Sequence, residues 1–121
     1  MFKLLKDSIG KDKVTLPVYV NEPLSLLQRT AEVLENEMAL IEANNESDPL
    51  VRLMKVSAFC ITQYGSLTHR LDKPFNPLLG ETYELKCKKF KFIAEQVSHH
   101  PPVSASYAES EDYEFYTDVN P

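Results

Sequence analysis

ETYELKCKKFKFIAEQV, residues Glu81–Val97, sets the fold class, because its apolar side chains recur at every second position. Tyr83, Leu85 and Cys87 alternate with Thr82, Glu84, Lys86 and Lys88; Phe90 and Phe92 alternate with Lys89, Lys91 and Ile93. A period of two puts successive side chains on opposite faces of an extended chain. The stretch therefore predicts two antiparallel strands joined by a short turn near Lys88-Lys89. Val103–Ala108 and Tyr113–Thr117 predict two more. Pro101-Pro102 carries no backbone N–H for a ladder and is expected to break the sheet between the second and third strands.

Upstream of Gly80 the period is that of a helix. Leu24, Leu27, Ala31, Leu34, Met38 and Ile41 follow at steps of three and four, one apolar stripe on a helix of about 22 residues. Asn21 or Glu22 can cap it, Pro23 suits its first turn, and Asn44-Asn45 end it. Ser47-Asp48-Pro49 repeats the cap-and-proline signal, so a second helix is predicted from Pro49 to about Thr68. Leu50, Leu53, Met54, Val56, Phe59, Cys60 and Ile61 make it apolar on more than one face, and burial on both sides is expected. Ahead of both helices, Val14–Val20 (VTLPVYV) reads as an extended segment, with Pro17 holding it at an edge. The layout is an extended segment over 14–22, helices over 23–69 and antiparallel strands over 81–118, which makes the class α+β.

The chain has 121 residues, enough for one domain. Hydrophobic residues are 43% and charged residues 26%, an ordinary globular mix. No run approaches the ~18 apolar residues of a membrane span, and Met1–Lys13 has no apolar core of a signal peptide. The net charge of −5 is uneven: Met1–Lys13 holds four lysines against two aspartates, while Ser104–Asp118 holds five acids and no base. No dominant basic face or arginine-rich run marks a nucleic-acid surface. Cys60 and Cys87 are expected to be buried free thiols in a reducing compartment.

Three clusters carry ligand-capable side chains. In Glu95–Pro102 (EQVSHHPP), two adjacent histidines stand at a strand end stiffened by two prolines. Adjacent side chains of an extended strand point oppositely, so His99 and His100 are a poor pair for one metal ion. They suit an anion better, since imidazole N–H groups donate to phosphate oxygens. In Lys73–Glu81 (KPFNPLLGE), the prolines set an irregular turn that holds Lys73 and Asn76, a charge and an amide. Gln63-Tyr64 is a polar pair in an apolar helix and can face a cavity. There is no GxSxG, phosphate-binding loop or HExxH, so no enzyme, metal or cofactor is expected.

EQVSHHPP is similar to the signature octapeptide of the oxysterol-binding protein and its related proteins, and it matches at all eight positions. KPFNPLLGE resembles the second hallmark of that family, and LPVYVNEPLSLLQR its lid-proximal segment and first helix. The resemblance runs from about Val14 to the end of the chain. It implies an incomplete antiparallel β-barrel around a lipid tunnel, preceded by a lid and helices. It implies extraction of a single lipid, a sterol or phosphatidylserine, and its transfer between membranes, with phosphatidylinositol 4-phosphate as exchange partner. It assigns Lys73, Asn76, His99 and His100 to the phosphoinositide head group, and Leu24, Leu27, Gln63 and Tyr64 to the tunnel. It also implies a cytoplasmic protein, peripheral at membranes or membrane contact sites. Four strands cannot close a barrel, so Met1–Pro121 is expected to be part of the lipid-binding domain. An open sheet edge would allow self-association. The alternative is a truncated interaction module that binds protein or a membrane surface and encloses no lipid.

Overall fold

A computed structural model of the chain describes residues 17–67 and 70–120. Residues 14–16 of the predicted extended segment and the predicted helix end at Thr68 lie outside these. The fold is α+β. After a 3-10 turn at Val18–Val20 come β1 (Asn21–Ser25), α1 (Leu26–Thr30), a 3-10 segment (Ala31–Asn36), α2 (Met38–Asn44) and α3 (Pro49–Thr62). A 3-10 segment (Gln63–Leu67) then leads to β2 (Lys73–Phe75), β3 (Thr82–Lys86), β4 (Phe90–His99), β5 (Pro102–Ser110) and β6 (Glu114–Val119). Among the described residues, no helix is long and apolar enough to cross a membrane.

Strands β3 to β6 form an antiparallel meander in chain order, open at both edges among the described residues. Directly opposed residues share a face, so the register gives the inner surface in rows. Leu85, Phe92, Ala108 and Phe115 make an apolar row. Tyr83, Ala94, Ser106 and Thr117 make a mixed one. Gln96, Ser104 and Val119 stand beside the far end. The helices cover the apolar part: Leu27, Leu34 and Phe59 pack with Phe92, Ala94 and Ala108. Phe59 meets Phe115 edge to face at 5.8 Å between ring centres, the arrangement that aromatic quadrupoles favour. The core lies between one sheet face and the helix layer.

Four expectations need correction here. The first helix does not run unbroken from Leu24. Asn21–Ser25 is strand, and the helix begins after Ser25, whose hydroxyl accepts from the Gln28 N–H while the Gln28 side chain accepts from the Ser25 N–H. This reciprocal capping overrides the weaker signal at Asn21 and Glu22. Thr30 then donates to the Leu27 carbonyl at 2.7 Å, a local bond that competes with the helical ladder. The chain tightens into the 3-10 segment before α2.

Helix α3 starts where expected, with the Asp48 carboxylate accepting from the Leu50 and Val51 N–H groups. It is not buried on both sides, however: only Phe59 is buried, while Leu50 and Ile61 are 67% and 70% exposed. Both cysteines are exposed rather than buried. Cys87 falls just past the end of β3, in the turn before Phe90. Finally, the prolines do not interrupt the sheet. Pro102 opens β5 opposite His99, at a first strand position where no N–H is required.

Candidate functional site

The Lys73–Phe75 stretch is a strand, not only a turn. It pairs in parallel with β1, Asn21 opposite Lys73 and Ser25 opposite Phe75. A two-stranded sheet has only edge positions, so it tolerates Pro23 and Pro74. Four charges fasten this ribbon to the helices. Arg70 donates from Nε to Glu22 Oε2 at 2.7 Å, and its two terminal nitrogens bond both oxygens of Glu32. Glu22 also meets Arg29 Nη1, at 3.5 Å, and its side chain is 8% exposed. The carboxylates of Glu32 and then Glu22 hold the Arg70 guanidinium above its ordinary range, because they stabilise the charged form.

The two motif segments are joined through Gln96. Its carbonyl accepts from the Gly80 N–H at 2.9 Å, and its own N–H donates to the Glu81 carbonyl at 3.0 Å. Glu81 in turn accepts the Leu78 N–H on Oε2 at 2.8 Å. Gly80 sits at φ 75°, a left-handed conformation that glycine adopts without steric cost. The Gln96 side chain is fully buried and accepts a hydrogen bond from Ser104.

Between Gln96 and Ser98 the β4–β5 register slips: Gln96 opposes Ser104, but Ser98 opposes Val103 and His99 opposes Pro102. Val97 is the extra residue of a β-bulge. If the same residues kept an unbroken pleat, Ser98 would continue the inward set of Phe92, Ala94 and Gln96. With the bulge, His99 takes that face. Its ring lies 4.9 Å from that of His100, centre to centre, and its Nδ1 is buried without a partner among the described residues.

A cavity of about 1040 Å³ opens between the helices, the β1–β2 ribbon and the ends of β5 and β6. Lys73, Asn76, Gln63 and Tyr64 all line it, so four of the residues singled out in the sequence converge. His99 and His100 are not in its wall; they stand one residue pair away, where His99 opposes the wall residue Pro102. Leu24 and Leu27 are not in the wall either. Leu24 lies in β1, and Leu27 is 0% exposed within the core.

The sequence reading missed Leu26, Arg29, Thr30 and Val33, which form the helical wall. Their spacing of three, one and three residues traces a second face beside the apolar stripe, and that was the available signal. Thr117–Asn120 at the end of β6 was missed as well. Chemically, among the described residues the cavity joins an apolar wall to two cations (Arg29 and Lys73), three amides (Gln63, Asn76 and Asn120) and one carboxylate, Asp118. Among the described residues no three His, Cys, Asp or Glu side chains converge as a metal site would require.

The family model described as oxysterol-binding protein matches residues 1–121. The chain belongs to the oxysterol-binding protein family. It is 48% identical to human oxysterol-binding protein-related protein 7 over 126 residues, covering 98% of this chain and 15% of that protein. It is 46% identical to oxysterol-binding protein homolog 1 of Saccharomyces cerevisiae over 124 residues, covering 99% and 10% respectively. Among solved structures it is similar to the Osh1 ORD domain in complex with ergosterol, with a TM-score of 0.88 and 46% identity. That match covers 99% of this chain and 30% of the other. It is also similar to the Osh3 ORD of Saccharomyces cerevisiae in complex with PI(4)P, with a TM-score of 0.83 and 41% identity, covering 100% and 34%. The chain thus spans about a third of each of these two solved domains. Its four-stranded sheet corresponds to part of their fold and is not itself a closed barrel.

Proposed function

We propose that this chain forms part of a lipid-binding and lipid-transfer domain. The domain would take a sterol or phosphatidylserine and exchange it for phosphatidylinositol 4-phosphate between membranes. One observation carries the reading: Lys73, Asn76, Gln63 and Tyr64 meet on a cavity whose other walls include Leu26, Val33 and Phe75. An apolar trough with a few convergent polar groups suits a molecule with an apolar body and a polar end. Lys73 supplies a charge-assisted donor for a phosphate, and Asn76 an amide beside it. His99 and His100 stand at the same end of the sheet and would close on the head group from the β4 side.

The process is equilibrium extraction, with no bond made or broken. The chain's residues replace the contacts that a lipid has in a bilayer: apolar walls for its tails, N–H donors for its phosphate. The family membership and the sterol and PI(4)P complexes of similar domains support this, as does the cavity. They favour it over a module that encloses no lipid. A cytoplasmic protein acting peripherally at membrane contact sites is the setting this function would require.

The test is lipid extraction from liposomes by the full-length protein. Lys73→Ala, or His99→Ala with His100→Ala, is expected to lower phosphatidylinositol 4-phosphate extraction by at least about tenfold, the worth of one charge-assisted hydrogen bond. Sterol extraction should persist. Phosphoinositide extraction equal to wild type in both variants would remove the head-group assignment.

A further inference from the structure

We infer that Arg29 is an additional anion-binding residue of the cavity, donating to a phosphate oxygen of an acidic phospholipid held there. The inference rests on the lipid-binding reading above and adds a ligand contact that neither motif contains.

The observation is an imbalance between two arginines that share one carboxylate. Arg70 spends Nε on Glu22 and both terminal nitrogens on Glu32. Each of its three nitrogens has an acceptor. Arg29 has a single partner among the described residues, Glu22 Oε1, through Nη1 at the long distance of 3.5 Å. Its Nε and Nη2 have none. Its side chain is 16% exposed, and its unpartnered nitrogens are not among the buried ones, so they stay open to the space beside them. A guanidinium offers five N–H donors in a rigid fork, and those without a protein partner can exchange water for a phosphate acceptor.

The cavity is what adjoins those donors. Arg29 lines it together with Lys73 and Asn76. The local fold keeps it there. The capping box fixes the start of α1, and Leu27 is locked in the core, so the neighbouring face carrying Leu26, Arg29 and Thr30 meets the cavity. Arg29, Arg70, Glu22 and Glu32 sum to zero charge, so the pull on an anion comes from unfilled donors rather than from net charge. Lys73 adds a positive charge to the wall, and Asp118 is its one carboxylate. A planar fork matches phosphate oxygens better than a point charge does. A sterol offers no anion, so Arg29 should matter for a phospholipid and be indifferent to a sterol.

The experiment has two arms, both on the full-length protein. The first compares Arg29→Gln, Arg29→Lys and Lys73→Ala in pick-up from phosphatidylcholine vesicles containing either phosphatidylinositol 4-phosphate or cholesterol. Arg29→Gln is expected to lower phosphoinositide pick-up about tenfold, to leave cholesterol pick-up and the melting temperature near wild type, and to be partly rescued by Arg29→Lys. The second follows the Arg29 side-chain N–H signal by NMR during titration with inorganic phosphate, where a saturating shift is expected. If Lys73→Ala lowers phosphoinositide pick-up and Arg29→Gln does not, the inference fails while the lipid reading stands. Equal loss of both lipids with a lowered melting temperature makes Arg29 a structural residue and overturns it too. If no variant, nor wild type, takes up lipid, the lipid reading fails. In that case a phosphate-dependent shift at Arg29 keeps the anion site as one for free phosphate, and no shift removes it.

Discussion

Replacing Tyr113 by phenylalanine removes one oxygen from the joint between the sheet and the helices. The Tyr113 hydroxyl donates to Glu37 Oε2 at 2.7 Å, and Lys89 meets Glu37 Oε1 at 3.1 Å. Glu37 is 4% exposed, so water does not replace a lost donor freely. A hydrogen bond to a charged group contributes about 1.5–3 kcal/mol. Lys89 remains to neutralise the carboxylate, which places the loss near the middle, at about 2 kcal/mol. For a domain of this size that corresponds to a melting-temperature drop of roughly 6–12 °C.

Urea unfolding measures the free energy directly, and its pH dependence supplies an independent sign. Burial first, and then the Glu37 hydrogen bond, raises the Tyr113 phenol above its ordinary value of 10.0. The folded state therefore holds this proton where the unfolded chain releases it. Its contribution is fully present below about pH 10 and is lost as pH rises further. Tyr107 is shifted the same way, by desolvation and then by the charges of Glu114 and Glu109, so the alkaline loss is shared. Tyr113→Phe should lower stability at neutral pH and flatten the alkaline fall. A variant within about 0.5 kcal/mol of wild type and with an unchanged alkaline profile would show that Tyr113 and Glu37 are not bonded.

Two more substitutions probe the parts that position the site. Gly80→Ala introduces a side chain at φ +75° with nothing within 4 Å of its Cβ, so its cost is backbone strain alone, about 1–2 kcal/mol. Thermal unfolding should register it, and an unchanged melting temperature would mean that the turn relaxes. Phe59→Ala empties the centre of the helix–sheet core and should cost about 3–5 kcal/mol, read as a lowered urea midpoint. A change below 1 kcal/mol would place Phe59 outside the core.

What the sequence made legible follows the range of the interactions. The β3–β6 meander was readable because its alternation is a local property of each strand, and its turns join neighbours. Lys73 and Asn76 stood out in a short proline-rich motif, and Gln63 and Tyr64 as a polar pair in an apolar helix. The β1–β2 ribbon was not legible, because its partners are some fifty residues apart (Asn21 Nδ2 donates to the Pro74 carbonyl across that span) and its prolines argue locally against strand. The break in the first helix depends partly on a local Thr30 bond, but Glu37 beside it is held by Tyr113, 76 residues away. Arg29 went unnoticed because its side chain gains meaning only once Arg70 has taken the better share of Glu22. The exposed face of α3 is apolar in sequence as a buried one would be, and hydrophobicity alone does not distinguish the two.

The extra residue at Val97 also separates two kinds of change that a substitution scan would blur. Val97 is itself exposed, so its identity should be negotiable. Its deletion is a different matter, because it would close the bulge: Ser98 would follow Gln96 directly, still opposite Val103, and His99 would stay opposite Pro102 on the inner face. The strand would lose the local bend and added twist that a bulge supplies. The bulge, rather than side-chain chemistry, lets His99 and not Ser98 share the face of Gln96.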